Sequence, residues 1–255
     1  MLDVTDLTKT YGSGPTAVEA IRNLTFTVND GEFVTIVGPS GAGKTTMLRC
    51  LSGLLSPSGG EVRVHGDLVE QPHPDIALVF QDYTRALMPW YTVVQNVVLP
   101  IKNKVRDRTE RRHVAEEALR EVGLGDMTDK FPWQLSGGMQ QRVALARGLA
   151  YQPKILLLDE PFASVDAQTR ADLEDLVLQV CSDLSMTTLL VTHDIDEAVY
   201  LADRVVVVSK RPSVVTETVT IDLPRPRDQI ETKLLPEFSE YRARILHLLR
   251  GDPVS

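Results

Sequence analysis

Cysteine is nearly absent from this 255-residue chain: Cys50 and Cys181 are the two present, each inside an apolar stretch with helical spacing. Neither has metal-ligand or paired spacing, which predicts two inert core thiols in a reducing, intracellular compartment. Long hydrophobic runs are also missing. The strongest, Ile155 to Leu158 and Val205 to Val208, fall far short of the roughly 20 residues that cross a bilayer, so any membrane role has to be borrowed from partner subunits. Met1 to Val18 holds Asp3 and Asp6 and no apolar h-region, which argues against a secretory signal. Positive charge is in deficit, with 27 Lys and Arg against 35 Asp and Glu, a net charge of -8 and a pI near 5.2. With no lysine-rich tail and no basic stripe, nucleic acid is not an expected partner. What remains is ordinary globular material, 43% hydrophobic and 24% charged, enough for one domain with an insertion or two tightly joined lobes.

Hydrophobic periodicity divides the chain. Leu2 and Val4, then Leu24, Phe26 and Val28, alternate on either side of the turn-forming Tyr11 to Pro15, predicting an antiparallel hairpin of sheet-edge strands. Phe33 to Val37 reads as a strand, and Met47, Leu48, Leu51, Leu54 and Leu55 then recur at helical spacing. Further strands are predicted at Glu61 to His65, Ile76 to Phe80, Ile155 to Leu158, Thr187 to Val191 and Val205 to Val208. Helices recur between the last four, one marked by Leu173, Leu176, Val177, Val180 and Leu184, another opened by a capping box of Asp194 and Glu197. Alternating strands and helices predict a mostly parallel sheet. The stretch from about 89 to 150 has no strand signal, and Val114, Ala118, Leu119 and Val122 mark an amphipathic helix there, so it reads as a helical insertion. A strand-like Val214 to Leu223, a Pro/Arg/Asp linker and a short helix near Arg242 to Leu249 close the chain.

Gly38-Pro39-Ser40-Gly41-Ala42-Gly43-Lys44-Thr45 fits the P-loop pattern between a strand and a helix. Glycines let backbone N–H groups curl around phosphate oxygens, and the helix N-terminus adds positive potential. Lys44 is placed to reach the β and γ phosphates, Thr45 to ligate Mg²⁺, and Thr46 continues the cradle. A chance match is expected on the order of once per hundred chains of this length. Ile155 to Leu158 then delivers Asp159 and Glu160 at a strand's C-terminal end, where open α/β sheets collect ligands. Asp159 is read as a Mg²⁺ ligand and Glu160 as the group that orients the attacking water or accepts its proton. Leu135-Ser136-Gly137-Gly138-Met139-Gln140-Gln141 opens a helix with a hydroxyl and exposed glycine amides, a second anion cradle. Alone it reads as a helix cap with flexible glycines; beside a P-loop, two cradles imply one shared nucleotide.

With LSGGMQQR after GPSGAGKT and before ILLLDE, the chain resembles the nucleotide-binding subunit of an ATP-binding cassette transporter over about Leu2 to Ser209. The resemblance implies an α/β fold: a P-loop NTPase core with a mostly parallel sheet, an N-terminal antiparallel β subdomain and an inserted α-helical signature subdomain. Residues 1–223 would form the ATPase domain, with 89–150 inserted, and 224–255 a short tail with one helix. It implies Mg²⁺ and ATP, and a head-to-tail homodimer in which Ser136, Gly137 and Gly138 act on the partner's nucleotide. By the same resemblance Tyr11 stacks on adenine, Gln81 contacts Mg²⁺ and the water while its loop touches the permease, Asp166 crosses the dimer and His193 binds the γ phosphate. Ser164-Val165-Asp166 stands where Ala-Leu-Asp is usual, which bears on the cross-dimer contact, and Trp133 precedes Gln134 where histidine is common.

Pro74-Asp75, Phe80-Gln81-Asp82-Tyr83, Met88-Pro89-Trp90, Asp166 to Arg170, and Ser209 to Pro212 followed by Leu223 to Asp228 resemble the nitrate, sulfonate and taurine importer group. That implies integral membrane permease subunits, an extracytoplasmic substrate-binding protein acting through them, and a place on the cytoplasmic face of the inner membrane. An exporter or lipid-trafficking cassette uses the same engine, and only 74–90 and the tail argue against it. Soluble non-transport cassettes tend to carry tandem cassettes or long coiled coils; here there is one copy of each motif and no sustained heptad repeat.

Overall fold

A computed structural model describes residues 1–82, 86–163 and 165–251; the sequence readings at Tyr83 and Ser164 lie outside the described residues. β1 (Leu2–Tyr11) and β2 (Val18–Val28) form the expected antiparallel pair. After β3 (Phe33–Val37), the chain returns as β4 (Gly59–Val64) and β5 (Asp67–Leu68) to complete a four-stranded sheet in the order β2-β1-β4-β5. The prediction of two edge strands is corrected at β1, which is flanked on both sides, pairing Leu2 with Val28 and with Val64. The second pairing joins segments some sixty residues apart, and no local pattern encodes it.

The second sheet has six strands in the order β10-β9-β3-β8-β7-β6, from β6 (Ile76–Val79), β7 (Ile155–Asp159), β8 (Thr187–Thr192), β9 (Arg204–Val208) and β10 (Val215–Thr220). β9, β3, β8, β7 and β6 run parallel, and β10 is antiparallel to β9. Their uninterrupted apolar character has a plain cause, since both faces are covered. On β7, Ile155 and Leu157 face the core shared with the antiparallel sheet and α1 (Lys44–Leu51), while Leu156 and Leu158 face the helices on the other side. β9 divides in the same way, Val206 and Val208 against Val205 and Val207.

Between β6 and β7 the described elements are helical: α2 (Val93–Val98), α3 (Arg108–Glu121) and α4 (Gly137–Ala150) among them. Asn96 is buried at the centre, its side chain accepting from the Met88 amide at 2.7 Å and donating to the Met88, Tyr91 and Thr92 carbonyls. Thr92 and Gln95 form a complete capping box that sequence reading missed. The box expected at α6 (Ile195–Leu201) is half formed. Asp194 accepts from the Asp196 and Glu197 amides, but the Asp194 amide is already bonded to the Thr192 hydroxyl, and the Glu197 carboxylate turns inward to accept from that same hydroxyl.

α5 (Ala167–Asp183) covers the sheet beside α6. The tail holds two helices rather than one, α7 (Glu231–Leu234) and α8 (Pro236–Arg250). Pro236 at the first helical position sets an earlier start than hydrophobic spacing alone indicated. Phe238 and Ile245 on α8 are buried in the helix-side core, and each such side chain contributes about 1.5–3 kcal/mol by burial.

Candidate functional site

β3 ends where Gly38 begins the loop, so its backbone is delivered to the C-terminal edge of the parallel sheet. Gly41 and Gly43 take φ of 77° and 91°, left-handed values that L side chains rarely adopt. At Gly38 the constraint is space instead: a Cβ would stand 2.5 Å from Val208 Cγ2. The buried Ser213 hydroxyl bonds the Ala42 carbonyl and ties this loop to the segment after β9, a support with no signal in the sequence. Helix α1 starts at Lys44, and Thr45 and Thr46 follow in its first turn.

Lys44 is nearly buried. Its ammonium donates to the Gly38 carbonyl at 2.8 Å and the Pro39 carbonyl at 3.3 Å, and lies 3.4 Å from Glu160 Oε1. Burial depresses its pKa, an effect opposed by Glu160 and Asp159. Thr45 Oγ1 donates to Asp159 Oδ1 at 3.2 Å, and Asp159 is buried at the end of β7. Burial raises the Asp159 carboxyl, the Thr45 hydroxyl draws it down, and the neighbouring Glu160 carboxylate pushes it up again.

Glu160 is the meeting point. Besides Lys44 on Oε1, its Oε2 lies 2.9 Å from His193 Nδ1 and accepts from Gln81 Nε2 at 3.5 Å. Thus groups that follow β3, β6, β7 and β8 converge on one carboxylate at the sheet's C-terminal edge. Glu160 holds φ at 44°, a left-handed conformation for a residue with a Cβ, while its amide donates to the Val191 carbonyl at 3.0 Å. Tyr11 lies beside the same loop, its hydroxyl 3.1 Å from Thr46 Oγ1, with Lys9 Nζ 5.5 Å from its ring centroid.

The other predicted site residues stand apart. Ser136 caps α4, its side chain accepting from the Met139 amide at 3.3 Å, with Ser136 and Gly137 exposed. Gly138 is buried against Thr169, so closely that a Cβ there would overlap Thr169 Cγ2. Asp166 caps α5, accepting from the Thr169 amide at 3.0 Å and its hydroxyl at 2.7 Å. Among the described residues, no hydrogen bond or ion pair links Ser136, Gly137, Gly138 or Asp166 to the loop at Gly38 to Thr46. Cys50 and Cys181 are buried, and burial lifts each thiol to about 11.

A phosphate-binding loop between a parallel strand and its helix, with paired carboxylates on the adjoining strand end, defines an ATPase of the P-loop class. The sequence profile of the ABC transporter family matches residues 21–163. An uncharacterized ABC transporter ATP-binding protein of Methanocaldococcus jannaschii is 47% identical over 98% of this chain and 92% of its own length. The nitrate import ATP-binding protein of Synechococcus elongatus is 42% identical over 91% of this chain, which spans 35% of that protein's length. A dimeric post-hydrolysis ATP-binding cassette bound to ADP and Pi superposes with a TM-score of 0.77 at 34% identity, covering 87% of this chain and 99% of that one. The chain belongs to the ABC transporter family and is an ATP-binding ATPase of that family.

Sequence reading missed polar groups that hold the segments at the site in place: Thr192, which bonds the Asp194 amide and the Glu197 carboxylate beside His193, and Ser213, which bonds the Ala42 carbonyl. Each has an ordinary identity in an ordinary position, and only the fold supplies its partners.

Proposed function

We propose that two copies of this chain, paired head to tail, hydrolyse Mg-ATP to drive a permease pair importing a small anion of the nitrate, sulfonate or taurine type. The carrying observation is the convergence of Lys44, Gln81 and His193 on Glu160, beside the Thr45–Asp159 pair. In this reading Gly38, Pro39, Ser40, Gly41, Ala42, Gly43 and Thr46 cradle the phosphates, Lys44 meets the β and γ groups and Tyr11 stacks on adenine.

A threonine hydroxyl, a carboxylate and the Gln81 amide oxygen are hard donors, and their placement beside the P-loop lysine fits Mg²⁺ bound jointly with substrate phosphates. Thr45, Asp159 and Gln81 would hold the ion, which when bound offsets charge on the phosphate oxygens. Glu160 orients water and takes its proton as the water oxygen bonds to the γ phosphorus and the bond to the β–γ bridging oxygen breaks. His193, anchored on Glu160, faces the γ phosphate. Ser136, Gly137 and Gly138 of the second copy close the site from the opposite side, and Asp166 reaches across. The exposure of Ser136 and Gly137 and the dimeric state of the similar cassette support that arrangement.

No helix among the described residues is long and apolar enough to cross a membrane, so the permeases are taken to be separate integral membrane proteins, with an extracytoplasmic binding protein acting through them. We place the chain on the cytoplasmic face of the inner membrane, with 1–223 as the ATPase domain, 89–150 as its helical insertion and 224–255 as its tail. Similarity to a nitrate import protein supports the substrate class.

Glu160→Gln tests the core of this reading. It keeps the side chain's size but cannot take a proton, so ATP binding is expected to persist while turnover falls on the order of 100-fold or more. An ATP-dependent dimer should then accumulate in sedimentation velocity. Near-normal ATPase activity in this variant rules out the assigned role.

A further inference from the structure

The turn carrying His193 is bracketed by bonds on both sides. Preceding it, Thr192 Oγ1 donates to Glu197 Oε2 at 2.6 Å and accepts from the Asp194 amide at 3.0 Å. Following it, Asp194 Oδ1 accepts from the Asp196 and Glu197 amides at 2.8 and 3.2 Å. These bonds leave the backbone on either side of His193 little freedom and aim its ring at Glu160.

Arg170 secures this turn from another element. It lies in the first turn of α5, where its amide donates to the Asp166 carbonyl at 2.9 Å. Its Nη1 reaches 3.5 Å from Asp194 Oδ2, and its Nε stands 3.7 Å from Glu197 Oε1. That Nε is buried without a hydrogen-bond partner, so it faces Glu197 as an electrostatic neighbour. Glu197 is buried too, and besides Arg170 the charged groups near it are Asp194 and Glu174, both of like sign. Arg170 itself is one-third exposed, and removing it leaves the buried Glu197 beside like charges alone, so that the carboxyl must take up a proton or the turn must shift.

From this geometry we infer that Arg170 is a positioning residue for ATP hydrolysis, binding the His193 turn to the helix that opens at Asp166 so that both move as one unit. The inference rests on the role proposed above for His193. It means that a displacement of Asp166, which caps the same helix turn that holds Arg170, is passed to the ring beside Glu160. A structural brace alone would cost stability without selectively slowing the chemical step.

The test compares the full-length wild type with Arg170→Ala, Arg170→Lys, His193→Ala and the Arg170→Ala/His193→Ala double variant. Steady-state ATPase kinetics, thermal melting and ¹H–¹³C spectra of the histidine rings are measured, with His193 assigned by its absence in His193→Ala. Folded Arg170→Ala is expected to lose about tenfold in kcat, with KM for ATP changed less than about threefold. The double variant should be no slower than His193→Ala, the His193 ring signal should shift or broaden, and Arg170→Lys should recover part of the rate. A kcat within twofold of wild type with the His193 signal unmoved, or losses that multiply in the double variant, overturns the inference. If Arg170→Ala does not fold, Arg170→Lys decides: its ammonium can face one carboxylate at a time, so an unchanged rate and ring signal refute the coupling. Wild-type turnover in His193→Ala would refute the role of His193 itself, whereas slow His193→Ala beside fast Arg170→Ala refutes Arg170 alone.

Discussion

At Glu160 the backbone adopts φ of 44°, which costs a residue with a Cβ on the order of 1–3 kcal/mol. The return is position: the turn lets one side chain meet Lys44, Gln81 and His193 at once. Gly38 shows the opposite economy, where the absence of a side chain is the requirement. A methyl there would meet Val208 Cγ2 at 2.5 Å and the Val208 carbonyl at 3.2 Å. Gly38→Ala is therefore expected to displace the loop from β9, lower stability by about 1–3 kcal/mol and weaken ATP binding about tenfold or more. Urea unfolding and titration with a fluorescent ATP analogue check both, and unchanged affinity would contradict a close fit. The identities of these residues were legible because P-loop and strand-end chemistry recurs in a fixed local order. The contact between Lys44 and Glu160 was not, since it joins segments 116 residues apart through the alignment of β3 and β7 on either side of β8.

Whole elements carry their own chemistry, and α6 shows it best. Asp194 was correctly read as its cap, but the partner role given to Glu197 was not realised, because Thr192 takes the Asp194 amide and leaves the carboxylate turned inward. Burial, opposed by the Thr192 hydroxyl and aided by Asp194 and Glu174, pushes Glu197 up to about 7 from 4.5. The folded chain then binds this proton more tightly than the unfolded chain, so its contribution to stability grows as pH falls through 7 toward 4.5 and is lost as pH rises. Across that window the effect is on the order of 3 kcal/mol. Glu197→Gln cannot titrate, so the difference in urea midpoint between about pH 5 and about pH 8 should shrink relative to wild type. An equal difference in the two proteins would show that Glu197 does not titrate in this range.

On the scale of the molecule, the two segments proposed as phosphate cradles face a question that one chain cannot answer by itself. Lys44 sits in the sheet-edge cluster while Ser136 stands exposed at the start of α4, so the reading in which they share a nucleotide requires a second copy. Mixing Lys44→Ala with Ser136→Arg chains tests it. Each variant alone should be inactive, whereas mixed dimers retain one intact pairing of Lys44 with Ser136. Random assortment should then restore up to roughly a quarter of wild-type ATPase activity. No recovery, with mixed dimers demonstrated by mass spectrometry, would refute sharing. The tail also acts at this scale. Gln229 Nε2 donates to Glu174 Oε2 at 3.0 Å and Asp175 Oδ1 at 2.9 Å, while the Tyr200 hydroxyl donates to Asp175 at 2.6 Å. The segment read as a linker thus gives the buried Glu174 a donor, bonds the exposed Asp175 beside it, and draws α5, α6 and the tail together.

By itself the sequence determined the strand and helix types, the phosphate-binding loop, the paired carboxylates and the family, because hydrophobic period and motif spacing are local properties of the chain. Only the tertiary structure decided that β1 lies inside its sheet, that Glu197 abandons the cap for Thr192, and that Arg170 reaches the His193 turn from α5. Each of those outcomes depends on which donors and acceptors the folded chain brings within reach of one another, and that competition is settled by packing.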